Sequence, residues 1–524
     1  MKVLVLGASG IIGQHMRLCV PPYVTPIWYR RTPDPITYGA DLTDEAVRTQ
    51  VLEHNQPDVI INLAGESRPD VVEGSPKDSD WLNVELPIVL AKWAELRQRR
   101  YIHVSSQAVF EGGTPPYDPD RRLVPLPVNA YGMQKAQAEA TVRQIPGPTI
   151  VRPTFVLGVR PLPQVGRANP AEQMLAGQEK QVSDRWFSPL FARDAARLLW
   201  SIVTHDDGQR VIHLGIPRRT SRYDVAQALG VPAEPVSHDS FPGIASRPVD
   251  TTYAAGTTRY LTDWNEGLAQ IRRDWQSRHD MDVRDRAREI ALFLGLTEDA
   301  AYDRLSKGFG YQHAAVTMDF RAVDPGTDEE DLLAWYRTTL QYIWELSAYH
   351  ADPGWNYMGM CGGIAERLRA AGAKRVLCLG DGVGDLTLSL YRAGFDAVYH
   401  DLAGSRTAEF ANFRFWRHTG RDMMGHLTGD WQPMNGHRLP YDAVVSLDFL
   451  EHVPNVEAWT TAIRDALVPG GLFAAQNAFA IGSGPDGSLP MHLACNDRWE
   501  KDWDPHLAAL GFRQLSPQWY QRAA

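Results

Sequence analysis

Four cysteines in 524 residues, Cys19, Cys361, Cys378 and Cys495, stand apart with no CxxC pair. That excludes a disulfide framework and a cysteine zinc site, and fits thiols kept reduced in a cytoplasmic protein. No block of lysine and arginine interrupts a chain of net charge −10 and pI near 5.9. Nucleic acid and anionic membranes are therefore poor partners, since binding phosphate needs a basic face. No apolar run approaches a membrane span, and the N-terminus enters a strand at once, so no signal peptide is expected. Internal repeats and low-complexity tracts are missing as well. What remains is an ordinary globular composition, 44% hydrophobic and 22% charged, in a chain too long for one core. Two domains of roughly 250 residues are the natural division.

Two glycine-rich turns are present. Lys2–Leu6 is a short apolar run followed by Gly7-Ala-Ser9-Gly10-Ile11-Ile12-Gly13; Arg375–Leu379 is another, followed by Gly380-Asp381-Gly382-Val-Gly384. Strand, glycine turn and helix in succession present backbone N–H groups to a ligand. In the first turn Gly7 permits the bend, Gly10 a close pyrophosphate, and Gly13 close packing of helix on strand. Two such turns in one polypeptide point to a two-step enzyme.

The strand after the first turn ends in Arg30-Arg31. An acid there would hold the ribose hydroxyls of NAD, whereas arginines pair with a 2′-phosphate and favour NADPH over NADH. The alternative is a pair of solvated surface arginines. Asp41-Leu42 and the small residues Leu63-Ala64-Gly65, at the end of a buried strand, complete the expected dinucleotide contacts. Next come Ser105-Ser106 at a strand end and Tyr131-Gly-Met-Gln-Lys135. A tyrosine and a lysine four apart share one helix face, and an ammonium beside a phenol eases proton transfer through it.

With Val151-Arg-Pro-Thr154, Ser188-Pro-Leu-Phe191 and Ala245-Ser-Arg-Pro248, residues 1 to about 255 resemble the extended short-chain dehydrogenase/reductases. Within them the likeness is to the dTDP-4-dehydrorhamnose reductase branch and its methionine adenosyltransferase β-subunit relatives. The resemblance implies a catalytic trio of Ser106, Tyr131 and Lys135, with Tyr131 as proton donor to a ketone. Gln107, where such families often carry an acid, speaks against dehydratase chemistry. The β-subunit relatives act as binding or regulatory proteins, which keeps a non-catalytic scaffold open as the second reading.

Residues 256–330 carry no motif, only helical stretches at 266–275 and 283–294. Leu332–Tyr349 reads as one helix rich in aromatics, either core packing or a wall over the second site. Asp352-Pro-Gly-Trp-Asn-Tyr357 is a loop that could face the same cleft.

In the second half, Asp401 ends the strand after the glycine turn, where a carboxylate meets ribose hydroxyls. A later strand reaches Asp448, followed by Leu450-Glu451-His452-Val-Pro454 and then Leu467-Val-Pro-Gly-Gly-Leu472. Alternating strands and helices imply a doubly wound sheet with ligands at its carboxyl edge. This succession resembles the class I S-adenosylmethionine-dependent methyltransferases that act on small molecules. The likeness implies a donor site of Gly380, Asp381, Gly382, Gly384, Asp401, Leu402 and Asp448, with Asp430 or Trp431 bordering the adenine. Cys378 departs from it, since many relatives have an acid two places before the first glycine. His452 and His492 are candidate general bases, a histidine near pH 7 being able to take a proton from a hydroxyl or an acidic carbon.

The expectation is an α/β chain of two Rossmann-like doubly wound domains, 1–255 and 356–524, joined by a helical segment, 256–355. Its expected cofactors are NADPH (or NADH) and S-adenosylmethionine, and its substrate a small molecule such as a nucleotide-linked sugar. A homodimer is compatible with this. A methyltransferase for protein or RNA is disfavoured by the acidic balance, and no metal site is expected.

Overall fold

The computed structural model describes residues 1–524 apart from 32–36, 119–124, 206–207, 209, 241–242, 255–260, 325–328, 421–423, 429–439, 480–488, 490 and 524. Two compact units emerge: Met1–Asp280 with Leu294–Glu298, and Met281–Phe293 with Asp299–Ala524.

The first unit is built on a seven-stranded parallel sheet. In spatial order its strands are Val211–Leu214, Thr149–Pro153, Arg100–Val104, Val59–Asn62, Lys2–Leu6, Thr25–Arg30 and Tyr38–Gly39. These strands read as apolar runs because both faces are covered. Val3, Val5, Ile61 and Ile102 face one core, while Leu4, Leu6, Ile60 and Tyr101 face the other. That is the period of two that strand geometry dictates. The chain winds outward in both directions from Lys2–Leu6, so the order reverses beside that strand and opens a crevice at its carboxyl end.

Three short parallel pairs form around this sheet: Phe155–Leu157 with Pro189–Phe191, Lys180–Val182 with Glu234–Val236, and Trp186–Phe187 with Asp250–Thr251. The Trp264–Asp280 helix belongs to this unit, burying Trp264, Leu268 and Ile271 against Leu157, Phe191 and Leu229.

The second unit carries another seven-stranded sheet, ordered Met424–Thr428, Asp396–Leu402, Arg375–Leu379, Tyr441–Leu447, Leu467–Gln476, Trp519–Arg522 and Phe512–Ser516. Trp519–Arg522 alone runs antiparallel to its neighbours. Val376, Cys378 and Val445 face one core, and Leu377, Leu379 and Val444 the other. The expected α/β chain with two doubly wound sheets is therefore present.

Helices precede this second sheet, and here one expectation is corrected. Leu332–Tyr349 is not one helix but the ends of two, Glu329–Thr338 and Gln341–Ala351. The break falls at adjacent β-branched threonines whose hydroxyls compete for backbone groups. Thr338 Oγ1 donates to Ala334 O at 3.0 Å, and Thr339 Oγ1 donates to Asp319 Oδ2 at 2.7 Å while accepting from Gln341 N at 3.2 Å. Among the described residues, no helix is long and apolar enough to cross a membrane.

Candidate functional sites

Each sheet carries a cavity at its glycine turn. In the first unit it measures about 750 Å³ and is lined by Gly7, Gly10, Ile11, Ile12, Gly13, Leu63 and Gly65 from the expected cofactor set. Gly7 has φ +80, and a Cβ there would stand 2.6 Å from Ala64 N. Gly13 lies so close to Ala8 that a Cβ would come within 2.8 Å of its Cα. Gly10 differs: a Cβ would meet only Gly7 O, at 3.5 Å, so protein packing does not demand glycine there. Its bare face is turned to the cavity, as a site that admits a ligand to the backbone requires. Ser9, Arg30, Arg31, Asp41, Leu42 and Ala64 do not line the cavity. Arg31 is exposed and lies 3.6 Å from Asp41.

Ser106, Tyr131 and Lys135 line the same cavity. Asn129 caps the Ala130–Val142 helix by accepting from Gly132 N at 2.8 Å. Gly132 lets that helix press on the Gln107–Val109 turn, since a Cβ would fall 2.2 Å from Ala108 O. The close approach brings the Tyr131 phenol beside the Ser106 hydroxyl. Burial pushes the Tyr131 phenol up, the Ser106 hydroxyl only partly offsetting it, and pushes Lys135 down to about 8. The phenol form is thus held at neutral pH, instead of the phenolate that an adjacent ammonium would favour. Lys135 Nζ donates to Val104 O at 3.3 Å.

Sequence reasoning missed the polar groups around this centre. Asn83 clamps the loop after Gly65: its Oδ1 accepts from Glu66 N (2.9 Å) and its Nδ2 donates to Glu66 O (3.1 Å) and Gln134 Oε1 (2.8 Å). Five arginines line the cavity, Arg68, Arg167, Arg185, Arg222 and Arg247. Arg68 is paired with Glu66 at 2.5 Å and Arg247 with Asp70 at 2.6 Å. Arg222 instead donates to the neutral amides of Gln181 (3.2 Å) and Gln178 (3.4 Å), and burial together with the charge of Arg167 lowers its pKa. Apart from Arg247, which stands in the Ala245-Ser-Arg-Pro248 stretch, no sequence signal marks these residues, because the fold gathers them from separate segments.

In the second unit a cavity of about 500 Å³ is lined by Gly380, Asp381, Gly382, Asp401, Leu402, Asp448, His452 and His492 from the expected set. Gly384 does not line it; a Cβ there would strike the Phe415 ring at 2.6 Å, so it serves packing. Asp430 and Trp431 lie outside the described residues. Cys378 is fully buried in the core behind the turn. Asp401 Oδ2 accepts from Gly382 N at 2.8 Å and Oδ1 from Leu402 N at 2.7 Å, while burial pushes its carboxyl up to about 6. Asp381 caps the following helix, accepting from Leu386 N (3.1 Å), Thr387 N (2.7 Å) and Thr387 Oγ1 (2.6 Å).

The same cavity is also lined by Asp448, Glu451, His452 and His492. Burial pushes Asp448 and Glu451 up to about 7 and His452 down to about 4. His452 is therefore a neutral imidazole at neutral pH and a weak proton acceptor. The aromatic segment divides between its two readings. Trp335 and Trp344 are buried, whereas Tyr336, Tyr342 and Tyr349 line the cavity together with Trp355 and Tyr357 of the loop. A His313–Glu345 pair, with Nδ1 2.5 Å from Oε1, also lines it and went unnoticed in the sequence.

The two cavities differ in charge. The second is lined by Glu345, Asp381, Asp401, Asp448 and Glu451 and by no lysine or arginine among the described residues. The first has its five arginines and Lys135.

Comparison with known proteins follows the same division. Residues 1–277 match the family described as RmlD substrate binding domain, and residues 355–503 match one described as methyltransferase domain. The chain is 28% identical over 242 residues to methionine adenosyltransferase 2 subunit beta of Danio rerio, covering 44% of this chain and 72% of that one. Other vertebrate copies of that subunit match over only 42–43% of their length. A dTDP-4-dehydrorhamnose reductase of Burkholderia thailandensis is 30% identical over 207 residues, covering 37% of this chain and 63% of the relative. Among solved structures, dTDP-4-dehydrorhamnose reductase of Bacillus anthracis in complex with NADP is similar at 22% identity and a TM-score of 0.45, over 52% of this chain and 99% of that one.

Proposed function

This chain belongs to the RmlD substrate-binding-domain family and continues into a methyltransferase domain, and on that premise we propose a bifunctional tailoring enzyme that reduces a ketone and methylates the same small molecule. The cofactors are NADPH and S-adenosylmethionine, the methylated atom is carbon or oxygen, and the substrate is a nucleotide-linked or otherwise modified sugar handled in the cytoplasm. The opposite charge of the two cavities supports this most directly. A cavity rich in arginine suits dinucleotide and sugar-nucleotide phosphates, and one lined by carboxylates without lysine or arginine suits a sulfonium.

In the first unit, Gly7, Gly10 and Gly13 with Ser9, Ile11 and Ile12 cradle the pyrophosphate, and Leu63, Ala64 and Gly65 border the dinucleotide. Arg30 and Arg31, with Asp41 and Leu42 beside them, meet the 2′-phosphate. Bound there, the reduced nicotinamide supplies hydride. Ser106 holds the carbonyl oxygen, Tyr131 protonates it, and Lys135 on the same helix face assists re-protonation of the phenol. Arg167 and Arg222, which form no ion pair with a carboxylate among the described residues, are the groups we assign to the substrate phosphates.

In the second unit, S-adenosylmethionine supplies an electrophilic methyl group. Gly380, Gly382 and Gly384 shape the turn against it, and Asp401 with Leu402 receives the ribose. Asp430 or Trp431 borders the adenine, and Asp381 and Asp448 add negative charge. His452 and His492 mark the acceptor end, where the proton of a hydroxyl or an acidic carbon is shed.

The second reading, a methyltransferase whose first unit is a non-catalytic NADPH-binding scaffold, is favoured by the likeness to a protein named as a subunit. Tyr131→Phe separates the two. Ketone reduction is expected to fall by about 10²–10⁴-fold with NADPH affinity unchanged by calorimetry. Undiminished product would favour the scaffold.

A further inference from the structure

We propose that Glu451, His452 and His492 form a binding site for one divalent transition-metal ion at the acceptor end of the second-unit cavity. Their ligating atoms all lie within 4.8 Å of one another, and two imidazoles with one carboxylate are a donor set for Mn²⁺, Fe²⁺, Co²⁺ or Zn²⁺. The proposal rests on the reading of this cavity as a methyltransferase site with its acceptor at that end.

Three observations support it. Glu451 is buried, its Oε1 accepts from Ala478 N at 3.0 Å, and its Oε2 has no hydrogen-bond partner among the described residues. A buried carboxylate oxygen without a donor is costly unless something else supplies positive charge. His452 Nδ1 lies 3.2 Å from Met491 O. The Tyr336 hydroxyl oxygen lies 3.2 Å from the same nitrogen, and a ring proton on Nδ1 serves both oxygens as acceptors and leaves the lone pair on Nε2. A metal-bound imidazole is oriented in this way by its outer partner. The two ligand segments are also fastened together. Leu493 N donates to Glu451 O at 3.1 Å, and Asn496 Nδ2 donates to Glu451 O at 3.1 Å and Val453 O at 2.8 Å. The site is thereby built on a braced turn.

Another group of suitable spacing, Asp285, Glu289 and His418, does not qualify. Arg417 lies 2.7 Å from Asp285, and Arg414 and Arg417 lie 2.8 and 2.9 Å from Glu289, so those carboxylates already have their cations. Among the described residues, no lysine or arginine lines the cavity around Glu451. An ion held by three protein ligands keeps positions open toward the cavity. An acceptor oxygen bound there would lose its proton more readily, the ion stabilising the anion.

The full-length protein, stripped with a chelator, is titrated with Co²⁺ and followed by visible absorption, while S-adenosylhomocysteine binding is measured separately by calorimetry. One equivalent of Co²⁺ is expected, with bands from nitrogen and oxygen ligation. Glu451→Gln and His492→Asn should each weaken uptake by at least about tenfold, with melting temperature and S-adenosylhomocysteine affinity near those of the parent chain. If either variant fails to fold, the other carries the test. Absence of uptake by the parent chain, or uptake unchanged in the folded variants, overturns the proposal. Co²⁺ uptake without S-adenosylhomocysteine binding would keep the metal site and sink the methyltransferase reading instead.

Discussion

Asp385 and Asp401 are both carboxylates of the second glycine-turn region, and their partners move them in opposite directions. Asp385 is held well below the usual range: it lies 2.6 Å from Arg286, 2.6 Å from Arg414 and 2.8 Å from His350, and these offset its burial. Asp401 has only backbone N–H donors and a tyrosine against its desolvation, and rises to about 6. Donors brought by ribose hydroxyls favour the charged form, so binding and deprotonation of Asp401 assist each other. The contribution of Asp401 to S-adenosylmethionine affinity should be flat above that pKa and fall by up to ~10-fold per pH unit below it, until the bound-state pKa is reached, in addition to the loss of charge at Asp448 near pH 7. Calorimetry between pH 5 and 8 measures this. Asp401→Asn should bind more weakly and lose that part of the slope, whereas a parent chain already flat would contradict the assignment.

At the scale of elements, the Val283–Leu294 and Arg406–Thr419 helices are tied to the glycine turn by buried ion pairs. Arg414 donates to Asp385 (2.6 Å) and to Glu289 (2.8 Å), and also bonds Val383 O inside the turn. Removing one partner of a buried pair leaves uncompensated charge, at a cost of about 3–5 kcal/mol. Arg414→Ala should lower the melting temperature by several degrees and weaken S-adenosylmethionine binding, although its side chain lines neither cavity. A melting curve with and without the cofactor checks both.

None of this network was visible in the sequence, where Gly380–Asp385 reads only as a cofactor turn. Local signals were legible: the glycines of both turns, the apolar strands before them, and the helix face shared by Tyr131 and Lys135. They depend on neighbours within a few residues. The arginines of the first cavity, the Glu451–His452–His492 group and the pairs around Asp385 come from distant segments, and only tertiary packing assembles them. The break at Thr338-Thr339 was missed for a related reason. The aromatic periodicity of 332–349 outweighed two hydroxyls whose partners, Asp319 among them, lie outside the window.

On the scale of the whole molecule, the first unit keeps the Trp264–Asp280 helix, which buries Trp264, Leu268 and Ile271. Each such side chain is worth about 1.5–3 kcal/mol when buried. A chain ending at Asp280 should therefore melt cooperatively and bind NADPH, whereas one ending at residue 255 should be unfolded or aggregated. Circular dichroism separates the two, and a stable 1–255 fragment would contradict the role given to that helix.

If the chain is the two-step enzyme proposed above, the order of its reactions follows from chemistry. A proton beside a ketone leaves more easily than one beside an alcohol, because the carbanion shares its charge with the carbonyl oxygen. Methylation on carbon must then precede reduction, since Tyr131 and Ser106 would otherwise destroy the group that activates the acceptor. If the methyl goes to oxygen, reduction comes first wherever it creates the acceptor hydroxyl. With a keto-sugar nucleotide and S-adenosylmethionine but no NADPH, the carbon route predicts a methylated ketone that later NADPH converts to an alcohol. Pre-reduced substrate should stay unmethylated. Mass spectrometry of these incubations reads this out, and methyl transfer only to reduced substrate would assign the methyl to oxygen and reverse the order.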